Sequence, residues 1–122
     1  MQAGLAIAVI DDDDSFRVAL VDSLSSFGCE TSGYASARDF IAANGQGLCS
    51  LIVTDVHMPG MSGLDLIRHL AASGSSIPVV LITAHCEAGL EARAKAAGAA
   101  CSLGKPFEIS DLIKCIEVAL GL

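Results

Sequence analysis

The stretch Leu5-Ala6-Ile7-Ala8-Val9-Ile10-Asp11-Asp12-Asp13-Asp14 changes character at a single residue boundary. Its six apolar residues lack polar alternation, the pattern of a strand covered on both faces. Four carboxylates follow at once. Helical spacing then begins at about Ser15, with Phe16, Leu20, Leu24 and Phe27 on one face and Asp14 as the N-cap. Apolar strand, polar end and amphipathic helix make one structural unit.

That unit recurs along the chain. Residues 51–53 and 79–82 are apolar without alternation and read as central strands, whereas residues 31–34 mix polar and apolar types as an edge strand does. Residues 99–103 are poor strand formers, assigned by position alone. The second helix is capped by Ser36 with Asp39 and buries Phe40 and Ile41. The third repeats the device with Ser62 and Asp65, followed by Leu64, Ile67, Leu70 and Ala71. An Ala-rich fourth helix runs from residue 87 to about 97, and a fifth aligns Ile109, Leu112, Ile113, Ile116 and Leu120. Gly28, Gly45, Gly74 and Gly98 stand where the first four helices end. Helices of ~11 residues are ~17 Å long, the length of a five-residue strand, so each returns the chain for the next parallel strand by a right-handed crossover. The expectation is an α/β fold: one (βα)₅ doubly wound parallel sheet in the order 2-1-3-4-5, with residues 1–122 as one domain.

Composition narrows the function. Fourteen acidic against seven basic side chains give a formal charge of −7, which argues against nucleic-acid contact by this segment. It suits holding a cation. No apolar run reaches the ~18 residues of a membrane span, and the start lacks the basic region of a secretory signal, so the expected location is the cytoplasm. Cys29, Cys49, Cys86, Cys101 and Cys115 form no C-x-x-C pair and read as small buried apolar residues in a reducing compartment.

In such a sheet, ligands bind beyond the carboxyl ends of the strands near the switch in strand order. Strand one ends in Asp11 and Asp12, strand three in Thr54-Asp55, strand four in Thr83, and strand five is followed by Gly104-Lys105-Pro106. Asp13 and Asp14 read as a solvated loop and a helix cap. Each of the others alone would be an ordinary turn or surface residue. Together at one rim they are not. Two carboxylates 4 Å apart repel by roughly 4 kcal/mol at an effective dielectric near 20. That repulsion calls for a hard cation such as Mg²⁺, which takes one or two carboxylates and keeps its waters. With Lys105 opposite, the rim has the charges that phosphoryl transfer needs.

These residues resemble the receiver domains of bacterial two-component systems. The resemblance is carried by Val9-Ile10-Asp11-Asp12, by the segment Thr54-Asp55-Val56-His57-Met58-Pro59-Gly60-Met61-Ser62-Gly63, by Thr83-Ala84 and by Lys105-Pro106-Phe107. It covers essentially the whole chain and is most like receivers of the nitrogen-fixation regulator type. It implies a flavodoxin-like receiver fold, with Asp55 as the phosphoacceptor from a sensor histidine kinase. It implies Mg²⁺ held by Asp12, Asp55 and the backbone carbonyl of His57, with Asp11 acting through water. By the same resemblance Thr83 is the switch hydroxyl, Lys105 the phosphate partner, and His57 and His85 tune dephosphorylation. The Lys105–Pro106 bond is expected to be cis. The output would be a homodimer or a C-terminal DNA-binding domain outside this chain. One position departs from the family: Ser102 stands where an aromatic switch residue is usual, which puts the usual output switch in question.

Two other classes compete. Phosphatases of the haloacid dehalogenase type also form an aspartyl phosphate, but need a second Asp where this chain has His57, and 122 residues leave no room for their cap domain. A receiver-like binding module that works without phosphate is the other.

Overall fold

The computed structural model describes residues 4–84 and 88–122. Its elements alternate as the apolar pattern requires: β1 (Ala6–Ile10), α1 (Asp14–Ser26), β2 (Glu30–Tyr34), α2 (Ala37–Ala42), a 3₁₀ turn (Gly45–Gly47), β3 (Leu51–Asp55), α3 (Gly63–Ala72), β4 (Val79–Thr83), α4 (Leu90–Ala97), β5 (Cys101–Gly104) and α5 (Ile109–Leu120). All strand pairs are parallel, and the sheet order is β2-β1-β3-β4-β5.

The unalternating strands make sense once both faces are seen. Ile7, Val9, Leu51, Val53, Val80 and Ile82 point to one side, where they pack with Leu20 and Leu24 of α1 and with Leu112 and Ile116 of α5. Ala8, Ile10, Ile52, Val79 and Leu81 point to the other, against Phe40 of α2, Leu66, Ile67 and Leu70 of α3, and Leu90 and Ala94 of α4. Every residue of β3 and β4 is buried. β2, at one edge, is exposed or half-buried throughout.

Several local expectations need correction. Asp13, not Asp14, caps α1: it is extended (φ −82°, ψ 106°) and its Oδ1 accepts the Phe16 N–H at 3.1 Å. Asp14 is the first helical residue and pairs instead with Arg17. Phe27 is 46% exposed, because it is the C-cap and lies past the buried stripe of α1. Ala71 is likewise exposed, and Leu66 takes the buried place. α4 begins at Leu90, and residue 87 lies outside the described residues. Past α2 it is Asn44 that turns left-handed (φ 54°), while Gly45 opens the 3₁₀ turn against the Phe40 ring. Gly28, Gly74 and Gly98 do end their helices with positive φ. The capping pairs Ser36 with Asp39 and Ser62 with Asp65 are formed.

The cysteine assignment changes more. Cys29 and Cys49 are free thiols, buried and half-buried, whereas Cys101 on β5 and Cys115 on α5 are paired as a disulfide with Cα atoms 5.9 Å apart. A separation of 14 residues reveals no pairing by itself. The crossover from β5 into α5 brings the two together. Cys86 lies outside the described residues.

Gly63 fixes how closely α3 approaches the end of β3. A Cβ there would stand 2.5 Å from the Asp55 carbonyl oxygen, 3.0 Å from Leu81 Cδ2 and 3.2 Å from Val56 Cα. The first of these is backbone in the central strand and cannot swing aside. Gly63→Ala is therefore expected to cost about 1–3 kcal/mol by overpacking, measured by urea unfolding. An unchanged midpoint would show that α3 has slack at this end.

Candidate functional site

Parallel strands of similar length place their last residues at one rim, and the register makes this concrete. Ile10 pairs with Thr54, Asp55 with Ile82, and Thr83 with Gly104. Asp11 therefore emerges one residue beyond β1, beside the end of β3. Asp55 closes β3, Thr83 closes β4, and Lys105 leaves β5. The Lys105 N–H donates to the Thr83 carbonyl at 2.7 Å, which anchors the start of the loop after β5. The Lys105–Pro106 bond is cis.

Asp11 is fully buried, Asp55 is 8% exposed and Asp12 stands exposed at the mouth. One carboxylate oxygen from each lies within 4.8 Å of the other two. The Lys105 ammonium is 3.0 Å from Asp11 Oδ2 and 3.7 Å from Asp55 Oδ2. It also rests 3.9 Å from the centroid of the Phe16 ring, a cation–π contact. Phe16 is braced in turn by an edge-to-face contact with Phe107, with ring centroids 6.2 Å apart.

Backbone N–H groups complete the acid cluster. Asp13 donates to Asp11 Oδ1 at 2.9 Å, and His57 donates to Asp55 Oδ1 at 3.4 Å. Both oxygens of Asp11 are thus engaged. The Asp55 carboxyl is raised above the ordinary carboxylate range, first by burial and then by the charge of Asp11. Lys105 and the N–H groups of His57 and Val56 oppose that rise.

The structure brings together Asp11, Asp12, Asp55, Thr83 and Lys105 at one end of the sheet. Thr83 is 5% exposed, and the side chain of His57 is exposed at the mouth. His85 lies outside the described residues. Ser102 sits apart, half-buried on β5 opposite Leu81, and lines a cleft of about 340 Å³ between α4 and β5 with Glu91, Ala94 and Lys95.

One residue escaped the reading of the sequence. Arg17 donates from Nη1 to the Asp11 carbonyl at 2.8 Å and from Nη2 to Asp14 at 2.6 Å, so it buckles the acidic loop to α1. Its stem crosses Gly33 of β2, where a Cβ would come within 3.2 Å of Arg17 Cγ and Cδ. The spacing of Asp14 and Arg17, three residues apart on a helix, was the available signal.

Residues 7–117 match the family model described as the response regulator receiver domain. The chain is 39% identical over 121 residues to the transcriptional regulatory protein FixJ of Azorhizobium caulinodans, covering 99% of this chain and 57% of that protein. It is 38% identical to the response regulator protein TmoT of Ectopseudomonas mendocina, over 95% of this chain and 53% of the relative. The chain thus spans about half the length of these relatives. Among solved structures, FixJ-N superposes with a TM-score of 0.88 at 33% identity, covering 99% of this chain and 96% of that one. The chemotaxis protein CheY4 of Vibrio cholerae superposes at 0.87 with 26% identity, covering 97% and 100%.

The raised Asp55 carboxyl makes a signed prediction. The folded chain holds that proton more tightly than the unfolded chain, so the contribution to stability is present at acid pH and is lost as pH rises through the folded value. Asp55→Asn cannot ionise. In a chelating buffer it is expected to melt above the unmodified chain at neutral pH, with the difference closing toward acid pH. A gap that stays constant with pH would assign the effect to something other than the charge.

Proposed function

The chain belongs to the response-regulator receiver family, and from that premise we propose that Asp55 accepts a phosphoryl group from the phosphohistidine of a sensor histidine kinase. The observation that carries this reading is the placement of Asp55: a nearly buried carboxylate at a strand end, with a second acid at one side and the Lys105 ammonium 3.7 Å away at the other. An arriving phosphoryl group would find a cation already placed for one of its oxygens. The Thr83 hydroxyl, on the neighbouring strand end, is assigned to another.

The donor set also fits Mg²⁺. Three carboxylates that converge within 4.8 Å are hard oxygen donors of the kind that ion takes. Both oxygens of Asp11 are occupied by Lys105 and the Asp13 N–H, which supports Asp11 acting through water. Asp12 and Asp55, with the backbone carbonyl of His57, are then the direct ligands. When bound, Mg²⁺ neutralises charge on the transferring group. The chain's own residues orient that group, so it assists both its phosphorylation and its autodephosphorylation, with His57 and His85 set to tune the latter.

Two-component signalling by this family needs an output. FixJ is by name a transcriptional regulator and is longer than this chain, which supports a DNA-binding domain beyond residue 122 or pairing with a second copy. The acidic charge of −7 keeps this segment itself away from nucleic acid. Among the described residues no helix is long and apolar enough to cross a membrane, and the proposed location is the cytoplasm.

Acetyl phosphate with Mg²⁺ is expected to add one phosphoryl group, seen by intact mass, and Asp55→Asn is expected to abolish it. Equal labelling of the variant would remove Asp55 from the role. Asp12→Ala should still label, at a higher Mg²⁺ requirement.

Ser102 carries a second expectation. An aromatic side chain buries ~150–250 Å², bulk that a serine cannot supply to follow Thr83 inward. Phosphorylation is therefore expected to move the Thr83 loop while leaving the far face of β5 and α5 little changed. Amide chemical shifts of the free and beryllofluoride-bound chain measure this. Large, matching changes along residues 99–103 and α5 would show that Ser102 does not quieten the switch.

A further inference from the structure

We propose that Cys101 and Cys115 are a reversible redox clamp, closed by thiol–disulfide exchange with a small-molecule disulfide, that fastens the Lys105 segment to α5. The two cysteines come from different elements. Cys101 opens β5 opposite Val80, and Cys115 lies on the buried face of α5 among Leu112 and Ile116. Their Cα atoms are 5.9 Å apart, within the ~4.4–6.8 Å usual for bridged cysteines.

Access is unequal. Cys115 is buried, whereas Cys101 is half-buried on an edge strand that has β4 on one side and, among the described residues, no strand on the other. An incoming disulfide meets Cys101 first. Its thiolate attacks one sulfur of RSSR, the RS–SR bond breaks, and the departing thiolate takes the Cys101 proton as RSH. The Cys115 thiolate then attacks the Cys101 sulfur and expels the second RS⁻, which takes the Cys115 proton. Two protein thiols lose two electrons, and one small disulfide is reduced to two thiols. A thiol reductant reverses both steps.

What the clamp encloses gives it a purpose. The ring closed by 14 residues of separation contains Lys105, Pro106, Phe107 and the first turn of α5. Lys105 makes the ion pairs to Asp11 and Asp55, and Phe107 braces the ring beneath its ammonium. β5 is four half-buried residues long, and of these Cys101 and Leu103 are the apolar side chains packed on the core beside α5. With the clamp closed, the segment is tied covalently to the core helix. With it open, the segment keeps the β4 pairing, the packing of Leu103 and Phe107 on the core and the Lys105 contacts, none of them covalent. Redox state is thereby written into the segment that carries the site's cation, a link whose signalling meaning rests on the function proposed above.

The test uses the full chain, reduced or equilibrated with oxidised glutathione, then alkylated and mapped by peptide mass. The expected result is a cross-linked pair of peptides bearing Cys101 and Cys115, opened again by dithiothreitol. It should form also in a chain with Cys29, Cys49 and Cys86 all replaced by serine. Oxidation should raise the melting temperature by about 10 °C and slow amide exchange over residues 101–108, and both effects should vanish in Cys101→Ser, a half-exposed site where serine leaves the fold intact. Alkylation of both cysteines under oxidant, or glutathione retained on Cys101 with no cross-link, would overturn the proposal. So would a cross-link that leaves melting and exchange unchanged. None of these readouts involves phosphate, so failure here is distinct from failure of the phosphoacceptor assignment.

Discussion

One ammonium holds the functional end of this molecule together. Asp11 and Asp55 are brought side by side by the pairing of β1 with β3, and both are withdrawn from water. At about 4 Å and an effective dielectric near 20, two such charges repel by roughly 4 kcal/mol. Lys105 sits 3.0 Å from one and 3.7 Å from the other, and offsets that repulsion. Removing it would leave two carboxylates uncompensated in a nearly buried place, the circumstance in which a broken ion pair is most damaging. The position of Lys105 is in turn over-determined: its N–H is fixed by Thr83, its ammonium lies over Phe16, and Phe16 is braced by Phe107. β1, β3, β4, β5 and α1 therefore meet at one residue.

The rest of the fold serves to keep those strand ends in register. Burial on both faces forbids β3 and β4 from slipping by a residue, since a slip would exchange the side chains that face α1 and α5 for those that face α2, α3 and α4. Gly63 lets α3 start directly against the Asp55 carbonyl. Arg17 ties the acidic loop to α1 through the Asp11 carbonyl. The proposed site is thus mounted on backbone that has few alternatives.

Much of this was legible in the amino-acid order because the two signals involved are local. Unbroken apolar runs specify doubly covered strands, and the residue type at the end of each run specifies the rim. The sheet order, the capping pairs at Ser36 and Ser62 and the convergence of Asp11, Asp12, Asp55, Thr83 and Lys105 all follow from that. What was not legible depends on geometry across the fold. Neighbouring Asp13 and Asp14 are chemically equivalent as caps, and the extended ψ of Asp13, 106°, decides between them. Arg17 is a surface cation in the sequence and becomes part of the site because the acidic loop folds back over α1. The Cys101 and Cys115 pair depends on how the loop after β5 delivers α5, which spacing alone does not encode.

The two edges of the sheet differ in a way that bears on signalling. β2 is polar and exposed, but α1 still packs beside it through Arg17 and Val21 against Gly33, and no proposed functional group lies on it. β5 is shorter, is built from Cys101, Ser102, Leu103 and Gly104, and yet is the strand from which the cation issues. A phosphoryl group brings about −1.5 to −2 charges at neutral pH, so on Asp55 it would compete with Asp11 for the same ammonium. A half-buried edge strand would then be the one to respond. The cleft beside Ser102 leaves β5 without side-chain bulk toward α4, and its other face meets the α5 side of the core through Cys101 and Leu103. Whatever passes from this site to a partner by way of β5 must therefore go through the contact with α5 or through the backbone of the Thr83 loop. The side chain at position 102, a serine lining that cleft, adds no bulk to either contact.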